Sequence, residues 1–344
     1  EKEENTFLRP QAPKPPYPYQ VEEVTFNNLK AGITLSGTLT LPLQGDNYPV
    51  VILISGSGPQ NRDEEIMGHK PFLVLADYLT REGLGVLRCD DRGVGKSTGD
   101  FEMATSLDFV EDVEAAVSFL KNNRKIRRIG LIGHSEGGVI APIVASRSKE
   151  VNFIVLLAAP GLRGDHILLK QQSEMGRMTG ASEKDLTYSE IINRKCFDIV
   201  LASTSAKDAE IPLKQYMDSL NQMGKLPVNM KNEKGAELWR RQVLSPWMYF
   251  FVKYDPVSVL KKVKCPVLAL NGSNDLQVFP ENLEIIINGL EAGKHKQVTV
   301  KELPGLNHLF QTCESGSPTL YAMIPETFSL VALKEIGDWI KTLK

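Results

Sequence analysis

Between residues 50 and 303 the chain repeats one rhythm, a short uninterrupted apolar run followed by a stretch with helical spacing. The runs are Val50 to Ile54, Gly85 to Cys89, Arg128 to Ile132, Val151 to Leu157, Val267 to Leu270 and Val298 to Leu303. Continuous rather than alternating hydrophobicity is what strands covered on both faces require. Apolar residues at helical spacing fill the intervals Pro71 to Glu82, Ser106 to Asn122, Gly137 to Ser148 and Asn282 to Leu290. Strand alternating with helix predicts an α/β fold, a mostly parallel sheet with helices on both faces. Upstream, Val21 to Phe26 and Ile33 to Leu41 are rich in β-formers. Turn-prone Asn27-Asn28 and Lys30-Ala31-Gly32 lie between them, which predicts an antiparallel pair.

Two stretches break the rhythm. About a hundred residues rich in helix formers separate the run ending near Ala159 from the one starting near Cys265, too many for a loop. They predict an inserted helical subdomain over 162–262, splitting a core made of 21–161 and 263–344. Near its end, Trp247, Phe250 and Phe251 are candidate substrate-pocket residues, with ordinary packing inside the insertion an equal reading. The first twenty residues carry Pro10, Pro13, Pro15, Pro16 and Pro18, so 1–20 reads as an extended leader or tether. That tract, with Glu rather than Met at position 1, leans toward an exported protein, periplasmic or lipoprotein.

Composition narrows the partner. The 344 residues are 42% hydrophobic and 24% charged, and 40 basic against 42 acidic side chains leave a net charge of −2. No global field recruits nucleic acid or an anionic membrane, so the partner is small or neutral. The longest apolar run, Val151 to Ala159, is about half of a spanning helix, and no membrane span is expected. Four widely spaced cysteines without a C-x-x-C pair argue for free thiols. No H-E-x-x-H or other paired ligand spacing occurs, so neither metal nor other cofactor is implied. The segment Asp90 to Ser97 ends in Gly-Lys-Ser, but a phosphate loop needs glycine where Asp90 stands, which rejects nucleotide binding.

The chemistry concentrates around Gly133-His134-Ser135-Glu136-Gly137. A buried strand runs into Gly-x-Ser-x-Gly and then into a small-residue helix start, the context of a nucleophile elbow, so Ser135 is the candidate nucleophile. A serine hydroxyl needs a base within reach and a third group to orient that base. Of the five histidines, His134 should point away from the hydroxyl and pack behind the elbow, while His295 sits in a solvated charge run. His69 and His166 could line a pocket, with a surface role favoured for both. His308, in a loop just after the last predicted strand, is the candidate base. Asp275, in the turn after the strand at Val267, is the candidate acid, and Asp255 is its competitor. An oxyanion would be received by the amide of Glu136 and, from the glycine-rich loop after Ile54, by the amide of Ser57. In the same loop Arg62, Asp63 and Glu64 read as an ion network that fixes its shape.

The elbow and the chain order Ser135, Asp275, His308 carry a resemblance. From about Val21 onward the chain resembles the α/β-hydrolase superfamily, specifically the bacterial serine esterase and serine aminopeptidase-like (S33) branch with a helical cap. The resemblance implies an eight-stranded sheet, an elbow after the fifth strand, a cap inserted after the sixth, and a structural Asp-x-Arg-Gly-x-Gly-x-Ser turn at Asp90 to Ser97. Relatives commonly carry His-Gly where this chain has Ser55-Gly56. The expected function is hydrolysis of a small-molecule carboxylic ester through an acyl-enzyme on Ser135, with His308 and Asp275. Three alternatives stand beside it. A serine aminopeptidase would want carboxylates beside the site, and an acyl thioesterase a basic rim that the motif loops lack. The third is a binding protein on an inactive scaffold. Acyl length, alcohol, oligomeric state and compartment are not encoded in these patterns.

Overall fold

A computed structural model describes residues 9–45, 47–123, 125–227 and 233–343. Its eight strands are β1 (Tyr19–Asn28), β2 (Ile33–Pro42), β3 (Tyr48–Ile54), β4 (Gly85–Cys89), β5 (Ile126–His134), β6 (Val151–Leu157), β7 (Val267–Gly272) and β8 (Val298–Leu303). They form one sheet in the order β1-β2-β4-β3-β5-β6-β7-β8. The pairs β1–β2 and β2–β4 are antiparallel and the others parallel, an α/β-hydrolase sheet. The helices in chain order are α1 (Pro71–Arg81), α2 (Ser106–Lys121), α3 (Gly137–Arg147), α4 (Gly164–Met178), α5 (Glu183–Ala202), α6 (Ala206–Gln222), α7 (Glu233–Val243), α8 (Pro246–Lys253), α9 (Val257–Leu260), α10 (Asn282–Ala292) and α11 (Leu330–Thr342).

Burial explains why the central strands read as unbroken apolar runs. β7 is buried along its whole length and β3 and β6 nearly so, whereas the edge strands β1 and β8 keep exposed positions. The pleat sends alternate residues to opposite faces. Val51 and Leu53 join Phe72, Leu75 and Leu79 of α1 and Leu333 and Ile336 of α11 in one cluster. Ile52, absent from that cluster, shares a cavity wall with Phe109 and Val113 of α2 and Ile140 of α3. Each large aliphatic side chain removed from water this way contributes roughly 1.5–3 kcal/mol, which is what holds the two helical layers to the sheet.

The chain divides into two compact units. A sheet unit comprises the residues through Phe101, Leu107–Gly161 and those from Pro256 onward; a helical unit comprises Glu102–Ser106 and Leu162–Asp255. Inside the helical unit the starts of α5, α6 and α8 are set by Ser182, Ser205 and Ser245, whose hydroxyls accept from the amides of Asp185, Asp208 and Met248. α9 falls within the range 162–262 expected for the insertion, yet it groups with the sheet unit and packs against α10 and α3.

The proline-rich start differs from the expected tether. Residues 1–8 of that range lie outside the described residues, but Arg9 donates to the carbonyls of Met67, Gly68, Ala322 and Ile324. Gln11 donates to the Phe328 carbonyl and accepts from the amides of Thr327 and Phe328. Strand β1 begins at Tyr19, two residues before the expected Val21, and the Tyr19 hydroxyl donates to Asp77 at 2.8 Å. Residues 9–12 form a turn closed by Ala12 N donating to Arg9 O at 3.0 Å, and the long polar side chains of Arg9 and Gln11 dock it. No helix among the described residues is long and apolar enough to cross a membrane.

Candidate active site

The elbow is built by close approach. β5 delivers the chain to Ser135, whose φ of +51° is a left-handed conformation that an ordinary side chain adopts at a cost of order 1–3 kcal/mol. Two hydrogen bonds hold it there: Ser135 N donates to Leu157 O at 2.9 Å, and Gly138 N to Ser135 O at 2.9 Å. A side chain at Gly133 would overlap the Gly137 carbonyl, and one at Gly137 would overlap the Ile54 carbonyl, so only glycine lets α3 start this close to β5 and β3. Glu136 is buried and stands at the N-terminal end of α3 with helical backbone angles.

Asp275 lies in the tight turn after β7 and is buried. Its Oδ1 accepts from the amides of Gln277 at 2.8 Å and Val278 at 2.9 Å, which leaves Oδ2 to accept from His308 Nδ1 at 2.8 Å. His308 is held in turn by Asn307, fully buried, whose Oδ1 accepts from the amides of Leu309 and Gln311 at 3.0 Å each. With Nδ1–H donating to the carboxylate, Nε2 is the ring nitrogen left to exchange a proton. The His308 main-chain carbonyl accepts from Nε2–H of His134, the residue just before Ser135, at 2.9 Å, and the two imidazole rings lie 4.8 Å apart. Asp255, the competing acid, belongs to the helical unit.

The loop after β3 packs on the elbow, for a Cβ placed at Gly56 would lie 3.2 Å from Ser135 Cβ. Charged groups set its shape. Arg62 grips Asp90 and reaches Glu23, Arg88 pairs with Asp63, and Asp91 accepts from Ser55 Oγ at 3.0 Å and Gln60 N at 2.9 Å. Burial, reinforced by the charges of Glu136 and Glu64, pushes the Asp91 carboxyl up to about 7 against the hydrogen bonds from Gln60 and Ser55. Ser55, Gly56, Gly58, Asp91 and Glu136 border a cavity within the sheet unit. The segment Asp90 to Ser97 is structural: Arg92 Nε and Nη2 meet Asp112 at 2.7 and 2.9 Å, and Ser97 Oγ donates to Asp90 O at 2.8 Å.

Other expectations from sequence need correction or relocation. His69 is not at the surface; it is buried, with Nδ1 at 2.9 Å from Thr327 Oγ1 and Nε2 at 3.0 Å from Tyr321 O. His134 does more than pack, since both ring nitrogens are hydrogen-bonded, to Glu64 and to His308. Burial works against its charge, but the Glu64 carboxylate beside it prevails and raises its pKa above the ordinary histidine value. No spacing rule could have found Glu64, because its partners sit at positions 56 and 134 and only the folded loop joins them. Trp247, Phe250 and Phe251 lie on α8 in the helical unit; Trp247 stacks on Phe251 at 5.0 Å between centroids and Phe250 tilts against Tyr254 at 5.6 Å. Among the described residues no group of three or more His, Cys, Asp or Glu is placed to hold a metal ion.

Comparison with known proteins places the family and the fold. The family described as serine aminopeptidase, S33, matches residues 70–312. A curated relative, Esterase EstD of Thermotoga maritima, is 26% identical over 327 residues, covering 94% of this chain and 68% of its own. Among solved structures, esterase Pf2001 of Pyrococcus furiosus superposes with a TM-score of 0.57 at 18% identity, covering 94% of this chain and 91% of its own. Est1E of Butyrivibrio proteoclasticus, solved with ferulic acid bound, gives 0.55 at 16% identity over 93% of this chain and 98% of its own. At such identities these two structures speak for the fold alone.

Proposed function

The chain belongs to the serine aminopeptidase (S33) family of α/β-hydrolases and is a hydrolase; on that premise we propose that it cleaves small-molecule carboxylic esters through an acyl-enzyme on Ser135. The observation that carries the reading is the Asp275–His308 hydrogen bond of 2.8 Å, which orients the imidazole by its Nδ1–H. The ester preference is supported by likeness over 94% of the chain to a curated protein named as an esterase.

In this mechanism Ser135 Oγ attacks the ester carbonyl while His308 Nε2 takes its proton. The carbonyl π electrons move to oxygen, and the oxyanion is received by the amides of Ser57 and Glu136. Gly56 N–H is engaged by Glu64, which supports the next amide along, that of Ser57, in that role. Collapse of the intermediate expels the alcohol, which collects the proton from His308 and leaves Ser135 acylated. Water then attacks the acyl carbon, losing its proton to His308, and the carboxylic acid departs as Ser135 recovers its hydroxyl proton. Asp275 stabilises the imidazolium formed in each half-reaction.

A fluorophosphonate probe tests the nucleophile and a substrate pair tests the class. The wild-type chain should label at Ser135 and turn over p-nitrophenyl esters faster than aminoacyl p-nitroanilides. Labelling that survives Ser135→Ala would remove the nucleophile assignment. Faster turnover of the anilides would reassign the enzyme to peptide hydrolysis.

A further inference from the structure

Glu64 is a carboxylate in an improbable place. It is 4% exposed, its backbone is left-handed at φ +50°, and its Oε1 alone serves two partners. Gly56 N–H donates to that oxygen at 2.7 Å, and His134 Nδ1 lies 2.9 Å from it. His134, itself buried, uses its other nitrogen on the His308 carbonyl at 2.9 Å. One oxygen atom is thus two hydrogen bonds from the main chain of the proposed base and one from the loop that receives the proposed oxyanion.

The protonation of this chain of contacts is set by the partners. A carbonyl oxygen only accepts, so Nε2 of His134 must carry hydrogen. The Nδ1–Oε1 contact needs one hydrogen more, held either as an imidazolium against a carboxylate or as a carboxylic acid donating to a neutral ring. The pair carries no net charge in either form, which is how two buried ionisable groups avoid the cost of an isolated charge. It also obliges both nitrogens of His134 to stay engaged.

We infer that Glu64 is a positioning residue for the proposed acyl transfer, setting the Gly56–Ser57 amides and, through His134, the main chain of His308. The inference rests on the ester-hydrolase reading above. Preorganised donors and a fixed base contribute to the transition state rather than to substrate affinity, so the loss should fall on kcat. Glu64→Gln isolates the effect. The amide oxygen can keep Gly56 N–H, but no proton can be shared with His134. The ring must then release either Gln at position 64 or His308 to remain neutral.

Active-site-titrated hydrolysis of p-nitrophenyl acetate, with thermal melts on the same samples, reads the result. Glu64→Gln should lower kcat about 10- to 100-fold with KM within about twofold, and His134→Gln should do the same. The double variant should be no worse than the poorer single one, because both act along one path. A folded Glu64→Gln enzyme with wild-type kcat per titrated site overturns the inference, and so do losses that multiply in the double variant. Should both variants fail to fold, the wild-type ring decides: ¹⁵N-histidine NMR must show hydrogen on Nε2 of His134, and a bare Nε2 there refutes the contact chain. Ser135→Ala separates the two levels, for an active Ser135→Ala enzyme sinks the ester-hydrolase reading, whereas an inert one beside an unimpaired Glu64→Gln sinks this inference alone.

Discussion

Arg62 holds Asp90 at both carboxylate oxygens, Nε to Oδ1 at 3.0 Å and Nη2 to Oδ2 at 2.7 Å, and so ties the loop after β3 to the carboxyl end of β4. The Arg62 main-chain amide also donates to Asp90 Oδ1 at 3.0 Å, and burial of Asp90 is overcome by these contacts, which keep its pKa below the ordinary aspartate value. Both side chains are largely shielded from water. Replacing Arg62 by Ala would leave that carboxylate facing a void, and a broken buried pair costs about 3–5 kcal/mol. Arg62→Ala should therefore lower the urea midpoint strongly. Arg62→Lys, which keeps the charge and loses the fork, should fall between it and wild type.

Asp275→Asn should leave the fold intact and abolish most turnover. Two amides, from Gln277 and Val278, point at Oδ1, so the oxygen of the new side chain stays with them and its NH₂ turns toward His308. That donor selects the imidazole tautomer with hydrogen on Nε2, the wrong one for a base. The expected loss in kcat on p-nitrophenyl esters is about 10³- to 10⁴-fold, comparable to the effect of the same substitution in a serine protease triad. A loss below tenfold in a variant that melts like wild type would count against Asp275 as the orienting acid.

Asp91 should make stability depend on pH in an unusual direction. Its folded carboxyl is pushed up to about 7, well above an unfolded aspartate, so the native state holds a proton that the unfolded chain releases. The contribution is complete below the unfolded pKa and is lost as pH rises through about 7. Wild-type melting temperature should fall between mildly acidic and mildly alkaline pH. Asp91→Asn, which can still accept from Gln60 N and meet Ser55, should fall less. Parallel pH curves for the two proteins would show that Asp91 is not the titrating group.

Gly133→Ala is expected to fail at the level of folding. A methyl group there would overlap the carbonyl oxygen of Gly137, which belongs to backbone that cannot turn aside as a side chain can. The substitution should cost several kcal/mol and show as insoluble expression or a collapsed melting temperature. Normal stability in Gly133→Ala would mean that α3 can start farther from β5 at no cost.

How far this molecule could be read in advance depends on the range of the forces involved. Strand positions were legible because β3, β6 and β7 are covered on both faces, and a doubly covered strand must be apolar throughout. The elbow was legible because Gly133, Ser135 and Gly137 answer a steric demand within five residues. Asp275 and His308 could be singled out by their places after β7 and β8, though the turn amides that aim the carboxylate are a property of the folded loop. The Glu64–His134–His308 contacts and the docking of Arg9 were not legible. Each depends on polar contacts between segments tens to hundreds of residues apart, and such contacts leave no period in the chain. The insertion boundary slipped for a related reason, since the short α9 continues the helical composition of the insertion but packs against α3 and α10 of the sheet unit.

The clamp on Asp275 Oδ1 has a mechanical consequence. A carboxylate bonded to two consecutive main-chain amides cannot rotate about its own axis, so Oδ2 is a fixed pivot. In the proposed mechanism, any reorientation between receiving a proton from the serine side and delivering it to a departing alcohol would then come from the imidazole swinging about that point, with the acid as bearing and the ring as lever.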